Sequence, residues 1–380
     1  MTITTQRPRL AIIGASYLQM PLIEKAKERG FETHAFAWAA NDVGEAAADV
    51  FHPISIIEVD KIIDVCRDLN IVGICSIASD VATLAVNHVA NALGLPGNSL
   101  ECTVKSTNKH AMREAFEQCG DPSPKSFLVD SETNLDVILE NISWPIIVKP
   151  TDRSGSRGIT KLYDTNGLEQ ALDEAYGQSF EHKALIEEFA EGEEFSVEYI
   201  SQGGVHHFLA ITRKFTTGAP HFIETGHEEP ADLDEATYDR VKAVVEHALN
   251  SLGVTDSASH SEVMINSDGS IKLIEIGARM GGDFIGSDLV YLSTGYDYVD
   301  MVIDVACGNP LVFKPARKPH KASAHFIFNQ EDVEKFETIK REHPETIWKA
   351  GDVDYSLLGN AHDSSTRAGW YVLIGEALDA

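Results

Sequence analysis

Between Leu10 and Gly94 the sequence switches repeatedly between short apolar runs and longer stretches of helical spacing, and that alternation admits few folds. The run Leu10-Ala-Ile-Ile13 ends at Gly14, residues 21–29 have helical spacing and stop at Gly30, and residues 31–38 alternate as a second strand. Residues 56–69 predict a helix, 71–77 a buried strand, and 80–93 a helix ending at Gly94. Strands and helices in this order pack as a small doubly wound α/β sheet. A strand running into Gly14-Ala15-Ser16 suggests a dinucleotide turn, which would make a nicotinamide-dependent dehydrogenase the reading. The second and third glycines of that fingerprint are missing, so close approach to a pyrophosphate is not encoded. The turn is structural or faces a carboxylate substrate.

The chain has 380 residues, more than one core usually holds, so two or three domains are expected. Residues 106–119 predict one helix, and Pro122 and Pro124 mark a boundary. Strands and helices then alternate to about residue 200, with hairpins at short glycine-rich links. Residues 235–252 form an amphipathic helix, followed by strands at about 259–266 and 270–276 joined by Asn266-Ser-Asp-Gly269, a hairpin signal. We expect an α/β domain over 1–105, two α+β lobes over 106–310 (small lobe about 125–190, large lobe about 191–310), and an α/β extension over 311–380.

Asp and Glu number 59 against 31 Lys and Arg, a net charge of −28, which disfavours nucleic acid and anionic membranes as partners. No apolar run has the length of a membrane span, and residues 1–9 do not read as a signal peptide. The five cysteines lie far apart with no C-x-x-C pair, which fits a reducing cytoplasm and neither a disulfide framework nor a zinc site. A homodimer is the default assembly. In so acidic a chain, a polyanion must be held by the few cations there are, so each Lys and Arg position is informative.

Pro145-Ile-Ile-Val-Lys149-Pro150 is a buried strand ending in a lysine, and Thr151-Asp-Arg-Ser154-Gly155-Ser156-Arg-Gly158 follows it before a second strand. Such a loop offers bare N–H groups and hydroxyls to phosphate oxygens. A polar glycine hairpin alone is an ordinary turn, but a lysine on a buried strand beside it is costly without an anion. In Glu187-Glu188-Phe189-Ala190-Glu191-Gly192-Glu193-Glu194, a short link joins two strand-like runs. Its backbone can meet an adenine edge, and Glu194 a ribose diol; read alone, the acids are a solvated hairpin. Glu262 opens one strand and Glu275 closes the next across the hairpin, which sets two carboxylates side by side at a sheet edge. Partly buried, they call for a cation between them, and oxygen ligands favour Mg²⁺ or Mn²⁺. Rim acids on an exposed hairpin are the plain alternative.

In this order, the three segments resemble the ATP-grasp superfamily over roughly residues 8–310. The resemblance implies an N-terminal doubly wound domain plus two α+β lobes clamping ATP. It places Glu187, Glu188, Phe189 and Ala190 at the adenine, Glu194 at the ribose, and Lys149 beneath the glycine loop at the phosphates. Lys109 falls where the family has its first phosphate-binding lysine, and Glu262 and Glu275 would hold magnesium. Many members carry Asn two residues after the second metal acid; here it is Gly277, which bears on a second Mg²⁺. The phrase Glu275-Ile-Gly-Ala-Arg279-Met-Gly-Gly282-Asp is similar to the carboxylate–amine ligase branch, which includes L-amino acid ligases, as is His260-Ser-Glu262. Arg279 would then stabilise a phosphate or an oxyanion, and Glu224, His227, His260 and Gly282 would meet substrate. The implied reaction activates a carboxylate as an acyl-phosphate and couples it to an amine. The alternatives are a bicarbonate-using carboxylase and a non-catalytic nucleotide-binding module.

Overall fold

The computed structural model describes residues 7–155, 157–219 and 222–378; Ser156, expected at the phosphates, lies outside them. Four short strands, β1 Arg9–Ile13, β2 Glu32–Phe36, β3 Val50–His52 and β4 Gly73–Cys75, form a parallel sheet in the order β3-β2-β1-β4. Strands β1, β2 and β4 are buried on both faces, as crossover helices require, while the edge strand β3 is partly exposed. Helix Asp80–Leu93 follows β4, opened by the Ser79 hydroxyl on the Ala82 N–H and ended by Gly94 at φ +68°.

The expected helix over 106–119 is two helices, Leu100–Thr107 and Lys109–Cys119. Asn108 breaks it: its side chain accepts from the N–H groups of His110 and Ala111, which requires extended backbone at 108. The break turns Lys109 inward, and its own N–H donates to the Thr151 carbonyl at 2.8 Å.

A second sheet is antiparallel: β5 Ser126–Val129, β6 Ile146–Pro150, β7 Thr160–Leu162 and β8 Ala184–Glu188, in the order β5-β8-β6-β7. The third contains β9 Glu193–Gln202, β10 Val205–Thr216, β11 Glu224–Glu229, β12 Ser257–Ile265, β13 Ile271–Gly277, β14 His320–Ile327, β15 Ile347–Ala350 and β16 Gly369–Ala377. Its order is β13-β12-β9-β10-β11-β14-β16-β15, so the tail continues the sheet from β11 through the Gly226↔His325 pairing. Helix Glu235–Leu252 buries Val241, Val245, Ala248, Leu249 and Leu252 against this sheet, the stripe its spacing predicts. The hairpin between β12 and β13 turns at Asn266–Gly269, with Gly269 at φ +78°. No helix among the described residues is long and apolar enough to cross a membrane.

Candidate active site

Glu262 and Glu275 are direct partners in the β12–β13 ladder, so both side chains leave the same face of the sheet. Each is held by a lysine. Lys214 Nζ of β10 lies 2.6 Å from Glu262 and 2.6 Å from Glu194, with Glu224 at 3.7 Å. Lys109 Nζ lies 2.7 Å from Glu275 and 2.7 Å from the Arg153 carbonyl, at the root of the glycine loop. Burial would raise the Glu262 carboxyl, but Lys214 and His260 outweigh it and hold it well below the usual range. Glu194 goes the other way, raised by burial and by Glu262 and Glu224 despite Lys214. Lys214 itself is raised well above its ordinary value, because the three acids outweigh its burial. At position 277 a Cβ would stand 2.8 Å from Asp80 Oδ1, so the missing Asn has a physical reason: the Asp80–Arg279 pair fills its space.

Lys149, at the end of β6, points to Glu187 of β8, with Nζ and Oε2 2.5 Å apart, and Arg113 Nε reaches the other oxygen at 2.8 Å. All three are buried. Burial pushes Glu187 up, yet Arg113 and Lys149 bring it down to about 2. Lys149 is lowered, chiefly by burial, with Glu187 opposing and Arg113 and Lys109 reinforcing. The carboxylate of Glu187 is thus committed to two cations and its backbone is paired within the sheet between β5 and β6, which leaves neither for the adenine role expected of it. Downstream, the Glu188 N–H donates to Lys125 O and the Phe189 N–H to Pro145 O, both at 2.9 Å. The Phe189 ring packs on Phe222 at 6.1 Å and under Lys161 Nζ at 3.3 Å. Ala190 is the second residue beyond β8. In the glycine loop, Gly155 and Gly158 take φ +73° and +67°, and Ser154 stands between Arg153 and Gly155.

Arg279 leaves the end of β13 and makes two bonds to Asp80, at 2.7 and 3.1 Å, which fixes it at the N-terminus of helix Asp80–Leu93. His260 makes a short bond to Glu198, whose second oxygen accepts the Gly281 N–H at 3.1 Å. Burial disfavours an imidazolium there, but Glu198 prevails and His260 is pushed up to about 9. His227 is the opposite case: 1% exposed, with neither ring nitrogen hydrogen-bonded among the described residues. Burial and then Lys214 bring it down to about 3, so it is a neutral imidazole. Glu224 lies 2.9 Å from Arg367, and a Cβ at position 282 would stand 3.2 Å from that of Ala78.

Sequence reading missed Lys214, Arg113, Asp80 and Glu198. The signal for Lys214 was the one that singled out Lys149, a lysine near the end of a strand in an acid-rich chain.

Residues 142–288 match the model of the ATP-grasp domain, a span that includes Lys149, both facing glutamates and Arg279. Alanine–anticapsin ligase of Bacillus subtilis (strain 168) is 28% identical over 237 residues, covering 57% of this chain and 50% of that one. The chain spans about half the length of that curated relative. The crystal structure of L-amino acid ligase from Bacillus licheniformis superimposes with a TM-score of 0.78 at 23% identity, over 98% of this chain and 94% of that one. Phosphoribosylglycinamide synthetase from Anaerococcus prevotii gives 0.77 at 23% identity, over 98% and 95%. At these identities the two structures establish the fold.

Proposed function

We propose that this chain, which carries an ATP-grasp domain, is an ATP-dependent ligase that activates a carboxylate as an acyl-phosphate and couples it to an amine, releasing ADP and phosphate. One observation carries the reading: two carboxylates in register, Glu262 and Glu275, beside three buried cations, Lys109, Lys149 and Arg113. Among the described residues, the ion pairs of those three cations are with two carboxylates, Glu187 and Glu275, which leaves positive charge where a polyanion's phosphates would lie. The relatives' ligase activities and the order of the motifs support the same assignment.

Glu262 and Glu275 suit Mg²⁺ or Mn²⁺, which take one or two carboxylates and fill the rest of their coordination with phosphate oxygens and water. When bound, the ion would neutralise charge on the transferring phosphoryl group. Lys109 and Lys149 would hold the phosphates beneath Ser154, Gly155 and Gly158 of the loop. The backbone of Glu188 to Ala190 would meet the adenine edge, with Phe189 as its wall. Glu194 would accept from the ribose once Lys214 yields it. Arg279, held by Asp80, would stabilise the oxyanion formed when the amine attacks. Glu224, the two nitrogens of His227, His260 and Gly282 would contact substrate; an unpartnered buried imidazole is otherwise costly. The five cysteines are all free, in keeping with the cytoplasm.

The test is phosphate release with Mg²⁺-ATP over a panel of amino-acid pairs in bicarbonate-free buffer, with hydroxylamine added to trap an acyl-phosphate as a hydroxamate. Hydroxamate should accumulate with the correct carboxylate, and Glu275→Gln should lower the rate by about 10²-fold. Turnover unchanged in that variant, or dependent on bicarbonate, would refute the assignment.

A further inference from the structure

Three side chains from the tail, outside the part that matches the ATP-grasp domain, reach this region of the molecule. Arg367, 6% exposed, lies 2.9 Å from Glu224 and 2.7 Å from Asp283. Its guanidinium covers the Phe326 ring at 3.7 Å, and its Nε has no hydrogen-bond partner among the described residues. Trp370 packs on Phe284 at 4.2 Å, and Lys349 stands on the same side. Trp370 and Lys349, with the segments that follow β1 and β4, enclose a cavity of about 230 Å³.

The position of the cavity is informative. The strand order β3-β2-β1-β4 reverses between β1 and β4, and the cavity lies outside the carboxyl ends of those two strands. Open α/β sheets take ligands at such a switch point. Its walls are mainly apolar: Leu18, Met20, Ile77, Met280, Phe284 and Trp370. Glu24 and Asp283 add two carboxylates. Asp283 and Phe284 both have positive φ, +48° and +70°, which side-chain-bearing residues adopt only when the surroundings impose it. Arg367 is one such restraint. Through Glu224 it also adjoins Lys214, 3.7 Å away, and so the acid pair.

We propose that the tail is a specificity element: the cavity takes the bulky uncharged side chain of an α-amino acid substrate, and Arg367 is a positioning residue that holds Asp283 in its wall and ties it to Glu224. This rests on the ligase reading above. Apolar walls select against charged side chains; with Asp283 paired to Arg367 and Lys349 also in the lining, Glu24 is the carboxylate left to meet an α-ammonium. The amino acid is either the carboxylate that is activated or the amine that attacks it.

The experiment measures binding of each of the twenty amino acids to the Mg²⁺-ADP-loaded chain by thermal shift, followed by hydroxamate formation. Leu, Met or Phe should stabilise the protein where Asp and Glu do not. Leu18→Trp, which fills the cavity, should weaken binding of the bulky amino acids by about tenfold or more, with Mg²⁺-ADP binding as the check on folding. Arg367→Met should raise the apparent Kd and KM for the amino acid by about tenfold with nucleotide affinity kept, and Arg367→Lys should recover part of it. Hydroxamate with the bulky amino acid alone identifies it as the carboxylate substrate; turnover only beside a second amino acid identifies it as the amine. Absence of any amino-acid shift, strongest binding of Asp or Glu, or an unchanged profile in Leu18→Trp overturns the proposal. Binding with the expected profile but no hydroxamate and no phosphate release would retain the cavity assignment and reject the ligase.

Discussion

Glu229 and Glu262 lie on the same eight-stranded sheet, and their surroundings drive them in opposite directions. Glu262 is buried beside Lys214 and stays ionised. Glu229 is buried among hydroxyls, accepting from Thr212 and Ser293, and these do not offset the loss of water. Burial therefore pushes it up to about 8, from an ordinary 4.5. The carboxyl is protonated in the folded chain at neutral pH and ionised in the unfolded one. Between those two values the unfolded state binds fewer protons, so this group's contribution to stability is complete below about pH 4.5 and is lost as pH rises through about 8. Glu229→Gln, which cannot ionise, should remove this dependence. Unfolding free energies from denaturant titrations at pH 5 to 9 should fall less steeply in the variant than in the parent chain, by an amount on the order of a few kcal/mol at the alkaline end. Parallel curves would mean that Glu229 is ionised when folded.

Asn108 acts on whole elements. By capping helix Lys109–Cys119 it ends helix Leu100–Thr107 and sets Lys109 between the Arg153 carbonyl and Glu275. Asn108→Ala should cost about 1 kcal/mol for the lost cap. Because Ala favours a continuous helix, Lys109 should also lose its placement, so ADP affinity should fall further than in a variant of similar stability loss elsewhere. Equal losses of affinity in the two variants would show that the break does no more than stabilise. The break was hidden in the sequence because the spacing of apolar residues runs through it. Elements closed by strong local chemistry were legible: helix Asp80–Leu93 between Ser79 and Gly94, helix Glu235–Leu252 between Asp234 and Gly253, and the turn at Asn266–Gly269. The facing of Glu262 and Glu275 was legible too, because a short hairpin fixes register. The partners of the cations were not. Lys214 meets Glu262 because β10 and β12 lie in one sheet, and Arg367 meets Glu224 because β14 and β16 join that sheet beyond β11, an order that no local pattern records. The joining of β14 to β11, about a hundred residues apart, is invisible for the same reason.

At the scale of the whole molecule, the net charge of −28 and the buried cations act at different ranges. Lys109, Lys149 and Arg113 sit close together inside the protein, each beside a carboxylate that cancels much of its distant field. On the proposed nucleotide site, a ligand carrying several negative charges would meet repulsion while still outside and attraction only once its phosphates reached those three side chains. Salt separates the two effects, because the Debye length falls from about 30 Å at 0.01 M to about 8 Å at 0.15 M, which screens the outer field far more than the enclosed contacts. The association rate of a fluorescent ADP should therefore rise as salt is added over that range. The dissociation rate should change less. Stopped-flow measurement at several ionic strengths tests this directly. An association rate that falls with salt would mean that the cations at the mouth of the site govern the approach, and that the acidic surface is turned away from it.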